Sequence, residues 1–231
     1  MGDIKKGDFV FSPTGKPIRV TATSSVEYRE CYEIEFSDGE VIIADENHQW
    51  QVFDKPLRKF LQTQNLAHTW SGKNSGRLVT TQELNDLLKR YDTQDYWAIP
   101  NTKPLQMDKK ELPIDPYVFG AWILGDFHKK GNNVRLKHPV CVEEFEKRGY
   151  PLSSKGSKDT FYCPRLRKEL KNNGWQGITY IPDIFLQSSI ADRITLLQGF
   201  LEARGNPYRN EKLQLSTRHN GIWRNLISLI S

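Results

Sequence analysis

The first fifty residues alternate short apolar stretches with turns. Residues 31–36 place Tyr, Ile and Phe at alternate positions with Glu between them, which is the pattern of a half-buried strand. The pair Asp38-Gly39 follows, and Val41–Ala44 is apolar again. Because Asp-Gly is a favoured pair in tight hairpin turns, this segment predicts a β-hairpin within a β-rich N-terminal portion.

Helical patterns appear further along the chain. Thr80 and Glu83 have the spacing of a capping box before a stripe of leucines. Asp115 precedes a proline at a first helical position, which predicts a helix through Trp122 to about residue 125. A third helix is predicted over 189–203, with a serine cap and a glycine after its end.

A half-polar strand follows each of the last two helices. In 134–137 Val and Leu alternate with Arg and Lys, and in 212–216 two Leu alternate with polar residues. The helix-strand order therefore occurs twice, and the chain stops inside the helix expected after the second strand. We predict a mixed fold: a β-rich portion with a connecting helix over 1–100, and an α+β domain of two pseudo-symmetric repeats over 101–231, the second repeat truncated.

The composition favours a globular, intracellular protein. The 231 residues have a mean hydropathy of −0.63 and contain no apolar run near the ~20 residues that span a bilayer, so we expect no membrane partner. The N-terminus lacks the apolar stretch of a signal peptide. The three cysteines Cys31, Cys141 and Cys163 are widely spaced, which favours a reducing, cytoplasmic setting without a zinc site.

The positive charge is concentrated in one segment. The whole chain carries a net charge of +5, whereas residues 129–172 hold 12 Lys and Arg against 5 Asp and Glu, a local excess of 12 − 5 = +7. A polyanion is therefore the first partner to expect.

Residues 7–17, the hairpin and the sequence ADENHQW at 44–50 resemble the N-terminal half of a Hint domain, as found in phage and bacterial inteins. The resemblance implies that Asp45 and His48 form the box that assists the acyl shift of protein splicing. An imidazole can protonate the amide nitrogen that leaves when the nucleophile attacks.

Inteins begin with a Cys or Ser nucleophile and end with a His-Asn pair before Cys, Ser or Thr. This chain opens with Met1-Gly2, and its only His-Asn pair, at 219–220, is followed by glycine. The resemblance therefore implies that splicing would need complementary intein fragments or host-protein exteins.

Residues 119–127 (FGAWILGDF) resemble the LAGLIDADG motif of intein-borne homing endonucleases, and 197–205 (LQGFLEARG) resembles a second copy. The resemblance implies two helices that cross closely and bind double-stranded DNA. Small residues four apart permit such a crossing. The resemblance places these residues at the helix interface: Gly120, Ala121, Gly125, Gly199 and Ala203.

In that family each motif ends in an acid that binds Mg²⁺ beside the scissile phosphates. The first motif offers Asp126 as catalytic residue and metal ligand, whereas the matching position of the second is Arg204. Glu202, the nearest acid there, lies two residues earlier, which is about 200° of helical rotation away. The sequence is compatible both with cleavage of DNA and with loss of that activity.

Arg135 and Lys137 alternate with apolar residues, as expected for a sheet laid on a DNA groove. The DNA-binding candidates are Lys129, Lys130, Arg135, Lys137, Lys155, Lys158, Arg204, Lys212 and Arg218. Three hypotheses follow from the sequence. The chain is a Mg²⁺-dependent DNA endonuclease, a DNA-binding remnant that has lost catalysis, or one piece of a split intein.

Overall fold

The computed structural model describes residues 3–37, 39–64, 76–91, 95–123, 133–154, 156, 158–204, 206–208, 212–214 and 220–230. The chain divides into two compact units. Unit 1 comprises Met1–Pro13 and Ile18–Lys103, and unit 2 comprises Thr14–Pro17 and Pro104–Ser231.

The N-terminal strands form two small antiparallel sheets. Strand β1 (Phe9–Phe11) pairs with β2 (Pro17–Arg19), and β3 (Cys31–Glu35) pairs with β4 (Val41–Asp45). In the second pair Ile34 lies opposite Ile42, which agrees with the alternation of apolar and polar residues in the sequence. The predicted hairpin is confirmed.

A three-stranded sheet and two helices complete unit 1. The sheet has the order β6-β5-β7, with β5 (Gln49–Asp54) between β6 (Arg77–Thr80) and β7 (Trp97–Ala98). The helices are α1 (Lys55–Thr63) and α2 (Thr81–Arg90). The core of this unit contains Ala44, Trp50, Val52, Val79, Leu84 and Leu87.

Side chains cap both helices of unit 1. The hydroxyl of Thr80 accepts a hydrogen bond from the Glu83 amide at 3.2 Å, and the Glu83 carboxylate accepts one from the Thr80 amide at 2.9 Å. This is the predicted capping box, which satisfies amides that the first helical turn leaves without partners. Asp54 caps α1 by accepting from the amide of Leu57 at 2.8 Å.

Unit 2 consists of helices joined by short strands. Its strands form a sheet of order β8-β10-β9 and the pair β11-β12. The elements are α3 (Pro116–Ile123), β8 (Asn133–Arg135), α4 (Pro139–Lys147), β9 (Ser153–Ser154), β10 (Thr160–Tyr162), α5 (Pro164–Asn172), α6 (Asp183–Leu186), α7 (Ile190–Arg204), β11 (Asn206–Tyr208), β12 (Lys212–Gln214) and α8 (Asn220–Ile230).

The caps predicted for α3 and α7 are also confirmed. The Asp115 carboxylate accepts hydrogen bonds from the amides of Tyr117 at 2.9 Å and Val118 at 3.3 Å. The Ser189 hydroxyl accepts one from the Asp192 amide at 3.2 Å. Helix α7 therefore begins one residue after its predicted cap, and the predicted end of α3 near residue 125 lies outside the described residues.

Helix α3 lies in the centre of the core of unit 2. Every residue of α3 after its first proline is buried, and aromatic side chains surround it. The ring of Phe119 stacks on that of Phe185 at 4.2 Å between centroids. Within the described residues, no helix is long and apolar enough to cross a membrane. The fold is a mixed one, with small sheets beside helices, and nothing in it tests the two family resemblances.

Candidate nucleic-acid interface

Helices α3 and α7 touch backbone to backbone. A methyl group added at Gly199 would lie 2.1 Å from the carbonyl oxygen of Tyr117. One added at Gly120 would lie 2.2 Å from the carbonyl oxygen of Leu196. Because these oxygens belong to the facing helix, only glycine fits at either position, and the two helix backbones lie in close contact.

The crossing has an internal two-fold relation. The methyl at Gly120 would also approach the amide nitrogen of Phe200 at 3.3 Å, and that at Gly199 would approach the amide nitrogen of Ala121 at 3.0 Å. Corresponding residues differ by the same 79 positions: 120 and 199, 117 and 196, 121 and 200. Each helix therefore presents the same surface to the other, as two subunits do in a symmetric dimer.

One strand after each helix has the same spacing. Strand β8 begins at Asn133 and β12 at Lys212, and 212 − 133 is again 79. Strand β11 (Asn206–Tyr208) lies between α7 and β12, and the corresponding segment after α3 falls outside the described residues. The two pseudo-symmetric repeats therefore stay a prediction.

This register differs from the alignment of the two motifs. Pairing 119–127 with 197–205 implies a shift of 78, which matches Ala121 with Gly199 and Asp126 with Arg204. The crossing instead matches Gly120 with Gly199, a shift of 79. Positions 126 and 205 lie outside the described residues, so the matching of the two acidic positions stays a prediction.

The other interface candidates are placed as follows. Ala121 and Ala203 are each 1% exposed, in keeping with a position between helices. Gly125 and the predicted metal ligand Asp126 lie outside the described residues. Among the residues that the structure describes, no three His, Cys, Asp or Glu side chains are grouped to hold a metal ion.

Glu202 forms a hydrogen bond with the facing helix. The hydroxyl of the fully buried Tyr117 donates to its carboxylate at 2.6 Å, and the amide group of Gln198 donates to the other oxygen at 2.8 Å. Burial, and then the bond to Glu202, raise the pKa of Tyr117 far above its ordinary value. The carboxylate thus joins α7 to α3, and its catalytic role stays a prediction.

The sheet of unit 2 separates apolar from polar side chains. Val134 and Leu136 are buried in the core, where Phe161 also packs. Arg135 points to the opposite face of the sheet, and it lies across from Thr160, the first residue of β10. The predicted alternation along β8 is confirmed, and the polar face includes Asn133, Arg135 and Tyr162, each half-buried.

Asp159 holds Arg135 on this face. Its Oδ2 accepts a hydrogen bond from Nε of Arg135 at 2.6 Å, and its Oδ1 accepts one from the Thr160 hydroxyl at 3.3 Å. Its backbone carbonyl accepts the amide of Leu136 at 2.8 Å. Sequence reasoning missed this partner, because Asp159 lies 24 residues away from Arg135.

Two predicted lysines come together at the end of the sheet. Lys137 and Lys158 are exposed and line one open cavity of about 640 Å³, together with His138 and Phe161. Neither forms an ion pair with a carboxylate of the described residues. The carboxylates of Glu143 and Asp159 line the same cavity, but Asp159 is already paired with Arg135, so the two lysines leave a small positive excess there.

Part of the excess charge in 129–172 is neutralised locally. The ion pairs of this segment join Arg135 to Asp159, Lys147 and Arg148 to Glu144, Arg148 to Asp115, and Arg165 to Glu169. The structure describes only the backbone of Arg204 and Lys212. The candidates outside the described residues are Lys129, Lys130, Lys155 and Arg218.

The box predicted to assist splicing forms a compact turn in unit 1. The amide of His48 donates to the carbonyl of Asp45 at 3.2 Å, and the Asp45 carboxylate accepts the amide of Asn47 at 2.8 Å. The carbonyl of His48 accepts the amide of Thr81 at 2.9 Å, and its exposed ring lies 4.5 Å from that of Trp50. These bonds account for the local structure, and an acyl-shift role stays a prediction.

The sequence is similar to proteins named as replicative helicases. It is 29% identical over 234 residues to the replicative DNA helicase DnaB of Mycobacterium intracellulare, a match that covers 99% of this chain and 39% of that protein. It is 53% identical over 51 residues to the replicative DNA helicase DnaB of Mycobacterium leprae (strain TN), or 22% of this chain and 8% of that one.

These comparisons correct the family resemblance. No family model matches the chain. Both relatives carry the name of a replicative DNA helicase, and neither is named as a homing endonuclease. The assignment to a LAGLIDADG homing endonuclease is therefore wrong. The chain is instead similar to a part, 39% in length, of a replicative helicase protein, which is the kind of sequence that intein-containing DnaB proteins carry.

Proposed function

We propose that unit 2 binds double-stranded DNA. The observation that supports this most is the DNA face, by which we mean Asn133, Arg135 and Tyr162 on the polar side of the sheet with Lys137 and Lys158 at its end. One side of this sheet is committed to the core. The other side offers cations for phosphates and hydrogen-bonding groups for base edges.

The comparisons support DNA as the partner. The names of both relatives state that they are DNA helicases. The chain spans 39% of the longer match, so only the partner, and not helicase activity, is carried over into the proposal.

The two-fold helix crossing supports a duplex rather than a single strand. The residues at the crossing are related at a constant register, which supports two similar halves on either side of one axis. The two strands of a DNA duplex are themselves related by two-fold axes. A protein with two equivalent halves can therefore contact both strands in the same way.

Binding is expected to depend strongly on salt. If Lys137 and Lys158 each neutralise one phosphate, the logarithm of the binding constant falls with the logarithm of salt concentration at a slope of about −1.8. Raising KCl from about 50 to about 200 mM then weakens binding about twelvefold. Fluorescence anisotropy of a labelled duplex measures this, and a duplex that stays unbound at the lower salt would refute the proposal.

We infer that binding is not coupled to cutting of both strands. Double-strand cleavage with Mg²⁺ would need carboxylates at the ends of both helices. The sequence has Asp126 after α3, but residues 203–206, which follow Glu202, contain no acid, and Glu202 itself is bonded to Tyr117. Supercoiled plasmid incubated with the protein and MgCl₂ should give no linear product, and linear DNA that disappears in Asp126→Asn would contradict this inference.

A further inference from the structure

We propose that Asp159 is a positioning residue that gives Arg135 a preference for guanine. This inference rests on the proposed binding of DNA by unit 2. Within the DNA face, the pair of Arg135 and Asp159 selects bases. Lys137 and Lys158 supply affinity that does not depend on the DNA sequence.

Asp159 is held in place through both its backbone and its side chain. Its backbone carbonyl accepts the amide of Leu136, which immediately follows Arg135, so the position of Asp159 relative to the arginine is set by the sheet. Its side chain then accepts from Nε of Arg135 at 2.6 Å and from the hydroxyl of Thr160 at 3.3 Å. Because the guanidinium is rigid and flat, a hydrogen bond at Nε restricts the directions in which its plane can face.

The orientation of that plane decides what an arginine can recognise. A guanidinium recognises guanine by donating two hydrogen bonds, to O6 and N7, in a fork that must lie in the plane of the base. A phosphate accepts from many directions, so it makes no such demand. Side chains that select a ligand need partners that restrict their rotamer. The hydrogen bond to Asp159 restricts the rotamer of Arg135 in this way.

The negative charge of Asp159 allows this role to be distinguished from a purely structural one. An acidic side chain on a surface that binds DNA repels phosphates and weakens binding to every sequence. Removing the charge of Asp159 should therefore strengthen binding to unrelated DNA and at the same time weaken binding to a preferred site. A surface ion pair that only stabilises the fold would give no such opposite changes.

The experiment begins with selection of duplexes from a randomised library by the full chain. The affinities of wild type, Asp159→Asn, Asp159→Glu and Lys158→Gln are then measured for the selected duplex and for a scrambled duplex of the same composition. Asp159→Asn should bind the selected duplex about tenfold more weakly and the scrambled one about twofold more tightly. Lys158→Gln, the matched control, should weaken both to the same degree.

Asp159→Glu keeps the charge and moves the carboxylate, so it should lose selectivity while its affinity for the scrambled duplex is unchanged. Thermal unfolding checks that each variant is folded. The inference fails if Asp159→Asn changes both affinities in the same direction, or if selection gives no preferred guanine although the wild type binds DNA. Those results leave the proposed function intact, whereas a wild type that binds no duplex refutes both.

Discussion

Gly199→Ala is expected to destabilise unit 2 by about 3 kcal/mol. The added methyl would lie 2.1 Å from the carbonyl oxygen of Tyr117, which is part of a helix backbone and cannot rotate away. The gain of about 1 kcal/mol in helix propensity from glycine to alanine does not offset this overlap. Thermal unfolding should show a midpoint lowered on the order of 10 °C.

The two-fold relation makes this prediction specific. Gly120→Ala should cost about as much, because its methyl would lie 2.2 Å from the carbonyl oxygen of Leu196. The matched control is Ile194→Ala, on the same helix α7, whose side chain is 60% exposed and should matter little. If both glycine variants unfold at the temperature of the control, the helices do not cross as described.

Alkaline pH is expected to destabilise unit 2, because four weakly acidic side chains are buried in neutral form in its core. Burial raises the pKa of two thiols and two phenols in this core, those of Cys141, Cys163, Tyr117 and Tyr150. All four side chains are at most 1% exposed. Each favours its neutral form in the folded state, so it stabilises the fold fully below its ordinary pKa and loses that contribution as pH rises beyond it.

The size of the effect follows from linkage. Each group costs about 1.4 kcal/mol for every pH unit above its ordinary pKa while it stays neutral in the folded state. If all four groups stay neutral, the free energy of unfolding should fall by about 10 kcal/mol between pH 8 and pH 11, which is as large as a typical stability. Urea denaturation at several pH values under reducing conditions measures this loss.

Tyr117→Phe and Tyr150→Phe test the origin of the alkaline loss. Each should make the decrease above about pH 10 shallower, because one ionisable group has been removed. At pH 8 Tyr117→Phe should lower stability by about 1 kcal/mol, since the Glu202 carboxylate loses its buried donor. Urea midpoints in the wild type that do not change up to pH 11 would contradict the account.

Local signals in the sequence predicted the secondary structure well. The Asp38-Gly39 pair, the Thr80 capping box, and the caps at Asp115 and Ser189 each act within a few residues, so the sequence contains all that they need. The same holds for the alternation along β8, where a period of two separates core from polar side chains. These elements appear where they were expected.

Contacts between distant residues could not be predicted in the same way. The register of the helix crossing depends on which small residue meets the facing backbone, and Gly120 and Ala121 looked equally suitable in the sequence. Tyr117 and Glu202 are 85 positions apart, and their hydrogen bond depends on that register. The bond from Arg135 to Asp159 likewise depends on the pairing of β8 with β10.

The most direct test of DNA binding by unit 2 compares two double variants of equal charge. Lys137→Gln with Lys158→Gln removes two cations from the DNA face, whereas Lys168→Gln with Lys171→Gln removes two exposed cations from helix α5. Duplex affinity measured at several salt concentrations should fall about tenfold or more in the first variant, with a salt slope smaller by about 1.8. The second should bind as the wild type does, and equal losses in both would contradict the account.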